Sequence, residues 1–446
     1  MKVISPGRNQ SFLKNVVTTL GRQALSTLIS LAFSVLVARN LGPTDNGAYA
    51  LALLLPTLLV NLLNLGQGSA SAYLIGAGKT TPQLAALASL ILTIAASIAS
   101  IIAGIIIVLA LGRRSFPGVD EATLIAGVAS IPATLIATNL LGVLHGLERF
   151  GRLNAILLVQ PTASLICAAA LFNIGSPNPT SAVIASGVGS LLATILILWQ
   201  TRPFHLSGIT GRAVVDQIKM SISYGLRVSS GNVVTFLNYR LNLYLVGILL
   251  SPTAAGLFII ALHWAERLWM PSQAISTVLL PKIASVHATE NGRKQLTLLA
   301  VRITGLATTV LSLLLAMLAR PMLSMLYGLN YVDSAHSLVW LLPGVVALAC
   351  SRVFSTDLAA RGVPELNFYG AIFTFLVNVI GALTLIPALG VIGAAAATSL
   401  AYFAGLFYML VAYSRLTTSS MVQLLVPTRK EVEFILAYLC RLKGKK

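Results

Sequence analysis

"ARNLGPTDNGAYALALLLP", Ala38 to Pro56, sets a Gly-Pro step and an Asn-Gly step between two long apolar runs. A relative of it returns at "VGILLSPTAAGLFIIALHW", Val246 to Trp264. With Leu41 set over Leu250, Pro43/Pro252, Thr44/Thr253, Gly47/Gly256, Ala52/Ala261 and Leu53/Leu262 coincide. In both places an apolar helix ends, the chain turns at a proline, and a glycine opens the next helix. An even number of spans in each half gives the two halves one orientation. That predicts a parallel repeat related by an axis along the membrane normal, an arrangement found in transporters.

The runs around these elbows are typical of the chain. Of its 446 residues, 57% are hydrophobic and 9% charged, where a soluble domain carries about a quarter charged residues. So little polar surface cannot enclose so much apolar surface, so much of it faces lipid. A window of about 19–20 apolar residues finds twelve candidate spans, roughly 13–38, 48–74, 84–111, 122–145, 153–174, 181–200, 223–249, 255–280, 296–319, 336–360, 366–387 and 391–413. The expected class is an all-α polytopic membrane protein, with about twelve transmembrane helices in two six-helix bundles around a central cavity. Its parts are an N-terminal bundle over 1–200, a cytoplasmic linker over 201–222, a C-terminal bundle over 223–413 and a basic tail over 414–446. A helix at 428–440 in that tail would put Val432, Ile435, Leu436 and Leu439 on one face, suited to the anionic cytoplasmic leaflet. The N-terminal "MKVISPGRNQSFLKNVVTTLGRQ" is basic and has no compact apolar core before a small-residue cleavage site, so it reads as a retained cytoplasmic lead-in.

The formal net charge is +18, from 30 Lys and Arg against 12 Asp and Glu. On a soluble protein this would suggest nucleic acid, but here topology accounts for most of it. Twenty of the 30 basic residues fall in the even loops and the two ends, and four (Arg39, Arg113, Arg114, Arg320) in the odd loops. This asymmetry predicts cytoplasmic termini. The remaining six, Arg22, Arg227, Arg240, Arg267, Arg302 and Arg352, lie within or at the edges of spans.

Polarity is unevenly spread among the spans. The third, sixth and twelfth carry no charge. The first places Arg22, Ser26, Ser30 and Phe33 on one stripe by 3.6-residue counting, and the second adds Asn61 and Asn64. The seventh lines up Arg227, Gly231, Asn238 and Asn242, with Arg240 nearly opposite, and the eighth holds His263, Glu266 and Arg267 within two turns. Ionisable and amide groups facing lipid cost several kcal/mol, so these repeat-related helices are expected to turn their stripes to a shared aqueous cavity. Other readings stand beside this one. Arg22 and Arg227 sit where arginine can snorkel to headgroups, and Glu266 and Arg267 can pair structurally. The four asparagines can serve as interhelical hydrogen-bond glue. Asp357 and Arg361, spaced i,i+4, read as a local salt bridge. Pro56, Pro161, Pro271 and Pro343 are tolerated in membrane helices and are also places to bend.

No enzyme signature is present. There is no G-x-S-x-G, P-loop, H-E-x-x-H or D-x-D pattern, so no nucleotide site powers transport from within the chain. Cys167, Cys350 and Cys440 are far apart in apolar surroundings, without C-x-x-C spacing, and read as packing residues. His145, His205, His287 and His336 lie near loops and offer no metal-ligand spacing.

Three stretches, "VARNLGPTDNGAYALAL", "NYRLNLYLVGILLSPTAAGLFIIALHWAE" and "IPALGVIGAAAATSLAYFAG", resemble those of Wzx-type polysaccharide (O-antigen) flippases. These belong to the multidrug/oligosaccharidyl-lipid/polysaccharide exporter superfamily. The resemblance runs end to end in length, span count and half-repeat. It implies alternating access and a substrate made of an oligosaccharide unit on a polyprenyl pyrophosphate, crossing the bacterial inner membrane for lipopolysaccharide or exopolysaccharide synthesis. It also implies a polysaccharide polymerase and glycosyltransferases as partners. No cofactor is expected beyond a proton or sodium gradient or the membrane potential. The candidate pyrophosphate-facing cations are Arg22, Arg227, Arg240 and Arg267, with Arg352 a further candidate. Asn61, Asn64, Asn238 and Asn242 are the candidate polar groups for sugar hydroxyls, and Glu266 and Asp357 the candidate coupling acids. One departure stands out: such proteins often carry an acid at the position of Asn242, after the Arg240-Leu step. The competing classes are a cation-coupled drug exporter, which favours a cavity acid, and a membrane glycan polymerase or acyltransferase, which needs a long catalytic loop not found here.

Overall fold

The computed structural model describes residues 6–201, 210–269 and 290–417. Among these every regular element is helical. They are α1 (Pro6–Leu63), α2 (Gln67–Gly76), α3 (Pro82–Ser115), α4 (Glu121–Ala129), α5 (Ile131–Gly146), α6 (Phe150–Ile174), α7 (Pro179–Thr201), α8 (Gly211–Leu249), α9 (Pro252–Arg267), α10 (Glu290–Tyr327), α11 (Ser334–Ala360), α12 (Glu365–Leu389) and α13 (Val391–Thr417), with a short 3₁₀ turn at Leu329–Tyr331.

The quoted elbow breaks α1 into two arms. Gly42 takes φ 72° and ψ 175°, a region essentially reserved for glycine, and Pro43 behind it has no N–H to continue the first arm. The second elbow reaches the same end by other means. Ser251 stands where the repeat has Gly42, and its Oγ accepts from Ala254 N at 3.1 Å. Pro252 then opens α9 at a position where a missing N–H costs nothing.

Nine helical segments among the described residues are long and apolar enough to cross a membrane. The first, Gly21–Gly76, is 56 residues long and holds the expected second span and most of the first on either side of the elbow. Residues of α8 and α9 are not among the nine, because α8 is too polar along its length and α9 is short. These are the helices whose polar content the sequence had marked. The packing has the polarity expected in lipid. Along α3, Ser89, Thr93, Ser97 and Ser100 are buried while Ile94, Ile98, Ile102 and Leu109 are exposed. On α10, Thr297, Thr304, Thr308 and Ser312 are buried and Leu306, Leu313 and Met317 exposed. Small and hydroxyl side chains let helices approach closely, while large apolar ones meet the bilayer.

Three boundaries differ from expectation. The supposed linker is helical from Gly211, where α8 begins and runs without interruption into the seventh span. Arg212, Asp216 and Lys219 interrupt the apolar window there, but not the backbone hydrogen-bond ladder. The fourth span is two helices, parted at Ser130. Pro132, which cannot donate to Val128, follows immediately. The second span ends at a turn where Leu65 and Gly66 both take positive φ, and α2 continues beyond it. Pro271, Cys440, His205, His287 and the amphipathic tail helix lie outside the described residues.

By chain contacts the residues through Arg240, together with Ser251–Gly256, form one compact unit, and Leu241–Leu250 with the residues from Leu257 onward form the second. The boundary thus falls inside α8. Within the first unit Leu140, Val143 and Leu144 of α5 pack on Ile156 and Ile197, while Val37 and Leu41 meet Ala168, Phe172 and Ala182. The core of the second gathers Val301, Val353, Phe354, Leu358, Met409 and Tyr413. Cys350 is buried in it and Cys167 half-buried in the first unit, consistent with packing roles.

Candidate functional site

The polar stripe of the first span lines a cavity of about 530 Å³ in the first unit. Arg22, Ser26, Ser30 and Phe33 come from the first arm of α1, and Pro56 and Thr57 from the second. Opposite them are Ser130 and Thr134 at the α4–α5 break, Gln160 and Ser164 of α6, and Ser186 and Ser190 of α7. Gln160 Nε2 donates to Ser190 Oγ at 3.1 Å, and Ser186 Oγ lies 3.1 Å from Tyr49 Oη. Among the described residues the lining contains one guanidinium, many hydroxyls and an amide, and no carboxylate. Arg22 Nε is buried and has no hydrogen-bond partner among the described residues. A buried cationic N–H left unanswered costs more than a neutral one, and an anionic oxygen is the group that answers it best.

The α6 and α7 contribution was not anticipated. Attention to charged and amide groups passed over the uncharged sixth span, although Ser186 and Ser190 at i,i+4 mark a hydroxyl face. The same spacing joins Gln160 to Ser164.

The other candidate residues are not gathered at this cavity. Asn61 Nδ2 donates back to Thr57 O at 2.8 Å, and Asn64 sits at the α1–α2 turn with its Oδ1 buried and without a partner among the described residues. Arg227 is exposed and donates from Nε to Ser223 O at 3.0 Å and from Nη2 to Ser223 Oγ at 3.1 Å. Arg240 is half-buried and Asn238 buried.

Asn242 corrects an expectation. It belongs to the second unit and is 2% exposed. Its Nδ2 donates to Asn378 Oδ1 at 2.9 Å, Thr398 Oγ1 at 2.5 Å and Ala394 O at 3.3 Å. It therefore ties α8 to α12 and α13, which is the glue reading of the amide. Asp357 is fully buried; its Oδ1 accepts from Arg361 Nε at 2.9 Å and its Oδ2 from Thr297 Oγ1 at 3.0 Å. Arg361 also pairs with Glu290 and donates to Tyr413 Oη at 3.4 Å. Burial alone would lower the Arg361 pKa, but its bonds to Glu290 and Asp357 outweigh that and raise it. The i,i+4 salt bridge read from the sequence is thus the centre of a clasp joining α10, α11 and α13.

Two cations of the second unit rest on indole faces. The Arg352 guanidinium lies 4.2 Å from the Trp269 ring centroid. Arg267 lies 5.7 Å from that of Trp264 and donates from Nη1 to His263 O at 2.6 Å. Glu266 is half-buried beside it. Such stacking fixes the plane of a guanidinium while leaving N–H groups on its edge. Among the described residues no group of His, Cys, Asp or Glu is placed to hold a metal ion.

Two family models match the sequence, each over more than half its length. Residues 155–440 match the family described as lipid II flippase MurJ, and residues 12–287 the family described as polysaccharide biosynthesis protein. The chain belongs to the lipid-linked flippase family of the multidrug/oligosaccharidyl-lipid/polysaccharide exporter superfamily. A search of curated proteins gives no match. Among solved structures this flippase resembles lipid II flippase MurJ in an inward closed conformation, with TM-score 0.73 and 18% identity over 89% of this chain and 87% of that one. A multidrug resistance MATE family transporter in an inward-facing conformation gives TM-score 0.73 and 16% identity over 90% of this chain and 98% of that one. A transporter of the same superfamily from Pyrococcus furiosus, whose description notes a binding pocket of reverse polarity, gives TM-score 0.63 and 15% identity over 92% and 96%. At these identities the solved structures establish the all-α polytopic fold, and the family models establish membership of a transporter family.

Proposed function

We propose that this flippase moves polyprenyl-pyrophosphate-linked oligosaccharide units from the inner to the outer leaflet of a bacterial plasma membrane by alternating access, for cell-surface polysaccharide synthesis. The observation that carries the proposal is the first-unit cavity, where the buried, unanswered Nε–H of Arg22 stands among hydroxyls and the Gln160 amide. Pyrophosphate oxygens need desolvated cationic donors, and arginine supplies a planar fork for them. The hydroxyl and amide lining suits sugar hydroxyls. A cation-coupled drug exporter would be expected to hold a carboxylate here, and none lines the cavity among the described residues. Arg227, Arg240, Arg267 and Arg352 are proposed as further phosphate-contacting cations.

Both termini are assigned to the cytoplasm on the loop-charge asymmetry. No cofactor is assigned. With an amide at Asn242 and Asp357 held by Arg361, coupling falls to the membrane potential or to a proton or sodium gradient acting through Glu266. The glycosyltransferases that build the unit and the polymerase that consumes it are the implied partners.

The family match over residues 155–440 favours a second reading, in which the carried lipid is lipid II. Purified protein in liposomes, given a fluorescent polyprenyl-pyrophosphate oligosaccharide, is expected to expose it to an external quencher faster than empty liposomes do. Preferential competition by unlabelled lipid II would select the second reading. Absence of flipping with either lipid would overturn the proposal.

A further inference from the structure

The cavity of the first unit has two chemically different ends. Its lining on α1 runs from Arg22 through Ser26 and Ser30 to Phe33, a rise of about 16 Å along the helix. The Arg22 end offers a cationic donor. The Phe33 end, nearer the elbow at Gly42, sets an aromatic ring beside hydroxyl oxygens.

Those hydroxyls have already committed their protons. Ser186 Oγ donates to Ala182 O at 3.2 Å, and Ser190 Oγ to Ser186 O at 3.3 Å. Elsewhere in the lining Ser130 Oγ donates to Gly127 O at 2.7 Å, Thr134 Oγ1 to Ser130 O at 3.1 Å and Thr57 Oγ1 to Leu53 O at 2.6 Å. A hydroxyl has one proton and two lone pairs, so what these groups offer a ligand is acceptor capacity. Phosphate oxygens, themselves acceptors, would meet lone pairs there. Sugar hydroxyls would find somewhere to donate.

This end of the cavity is also held in place. Phe33 makes a T-shaped contact with Tyr49, ring centroids 6.5 Å apart and planes at 63°. Tyr49 Oη lies 3.1 Å from Ser186 Oγ and, with the Ser186 proton on Ala182 O, is the donor of that pair. Gln160 Nε2 fixes Ser190 Oγ at 3.1 Å. A Cβ on Gly189 would overlap the Gln160 carbonyl and Ser164 Oγ, so the bare glycine lets α7 seat its hydroxyl face against α6. An aromatic ring beside a fixed row of acceptors suits a neutral pyranose. Its C–H face rests on the electron-rich ring, and its edge hydroxyls donate. A uronate's carboxylate would face lone pairs instead.

We propose that Phe33, Ser186, Ser190 and Gln160 form a subsite for a neutral pyranose, about one cavity length from Arg22, with Tyr49 positioning Phe33 and Ser186. It reads a sugar of the carried lipid while Arg22 holds the pyrophosphate, and so selects which glycan is moved. The proposal rests on the lipid-linked oligosaccharide reading.

The test uses the full chain, with binding measured in detergent and flipping in liposomes. Two fluorescent probes are compared: a polyprenyl-pyrophosphate-linked oligosaccharide of neutral sugars, and the same polyprenyl pyrophosphate without sugar. The parent is expected to bind the first more tightly. Phe33→Leu and Ser190→Ala should each weaken its binding about 3- to 10-fold, and together about 10- to 100-fold. Binding of the sugar-free probe should change less than twofold in the same variants. Phe33→Tyr, which keeps the ring, should stay near the parent with both probes, and Arg22→Ala should weaken both. Equal weakening of the two probes by Phe33→Leu/Ser190→Ala would reveal a merely structural role and overturn the subsite. So would unchanged binding, or a parent that binds the oligosaccharide probe no better than the sugar-free one. A third probe whose sugars are all uronates should bind no tighter than the sugar-free lipid, and tighter binding would overturn the assignment to a neutral sugar. Sugar-dependent binding by a parent that flips neither probe would refute the flippase reading and leave the subsite standing. Flipping of both probes without sugar-dependent binding would do the reverse.

Discussion

Replacing Arg361 by alanine strands a carboxylate. Asp357 is 0% exposed and the Arg361 side chain 8%, so their 2.9 Å bond is hardly screened by solvent. Removing one partner of a buried ion pair costs about 3–5 kcal/mol, because the remaining charge is left uncompensated. Thr297 and the Tyr413 hydroxyl stay behind as neutral donors to Asp357 and do not replace the lost positive charge. Glu290, by contrast, is 62% exposed, and its share is that of a surface pair, about 0–1 kcal/mol. At about 1.4 kcal/mol per factor of ten, Arg361→Ala should therefore raise opening of the second unit by roughly two to three and a half orders of magnitude. The native reporter is Cys350, buried in the same core as Phe354 and Tyr413. In a background with Cys167 and Cys440 replaced by alanine, its labelling by a thiol-reactive dye reads that opening. Arg361→Ala should label far faster than the parent and Glu290→Gln nearly as slowly. Asp357→Leu/Arg361→Met should recover at least half the loss, since Thr297 can turn to Arg293 O, 3.1 Å away. Labelling of Arg361→Ala within tenfold of the parent, or an equal effect from Glu290→Gln, would refute the clasp.

Arg22→Ala should lower flipping by about 10- to 100-fold if the guanidinium supplies a charge-assisted bond to phosphate, a bond whose net contribution is about 1.5–3 kcal/mol. Arg22→Lys should recover part of that, and equal fluxes from all three proteins at matched amounts would remove Arg22 from the site. Asn242→Asp replaces the donor at the α8–α12–α13 junction with a carboxylate facing Asn378 Oδ1 and the Ala394 carbonyl. The three bonds donated by the amide are lost and the carboxylate stands against two acceptors, so the variant is expected to melt below the parent. A melting temperature equal to the parent's would show that these bonds do not hold the junction together. Gly42→Ala should destabilise by about 1–3 kcal/mol, since φ 72° and ψ 175° exclude a Cβ. Ser251→Ala should cost about 1 kcal/mol for its lost cap, and Ser251→Asp should largely restore it. Equal melting temperatures for Gly42→Ala and the parent would contradict the observed turn.

Some of this molecule was written in the order of its residues. Apolar content and span length dictate a helical membrane protein, because lipid forces the backbone to satisfy its own hydrogen bonds. The 3.6-residue period placed Arg22, Ser26, Ser30 and Phe33 on one face, and that face lines the cavity. The i,i+4 spacing of Asp357 and Arg361 fixed their pairing, since such neighbours meet on any helix. Pro43 and Pro252 marked both elbows for the same local reason.

Periodicity names a face but not what that face meets. Nothing local told Asn242, on the same stripe as Arg227, that α12 and α13 would close over it, nor told Ser186 and Ser190 that they would lie across a cavity from Arg22. Charges at the start of α8 hid a helix that the backbone continues regardless. Only the tertiary structure could bring Gly47 to the Pro252 carbonyl and Thr44 to Thr253, because steric fit between distant segments depends on how helices pack. By itself the sequence determined that the two elbows are alike. The fold decided that they touch, since only a glycine at both positions lets two backbones come so near.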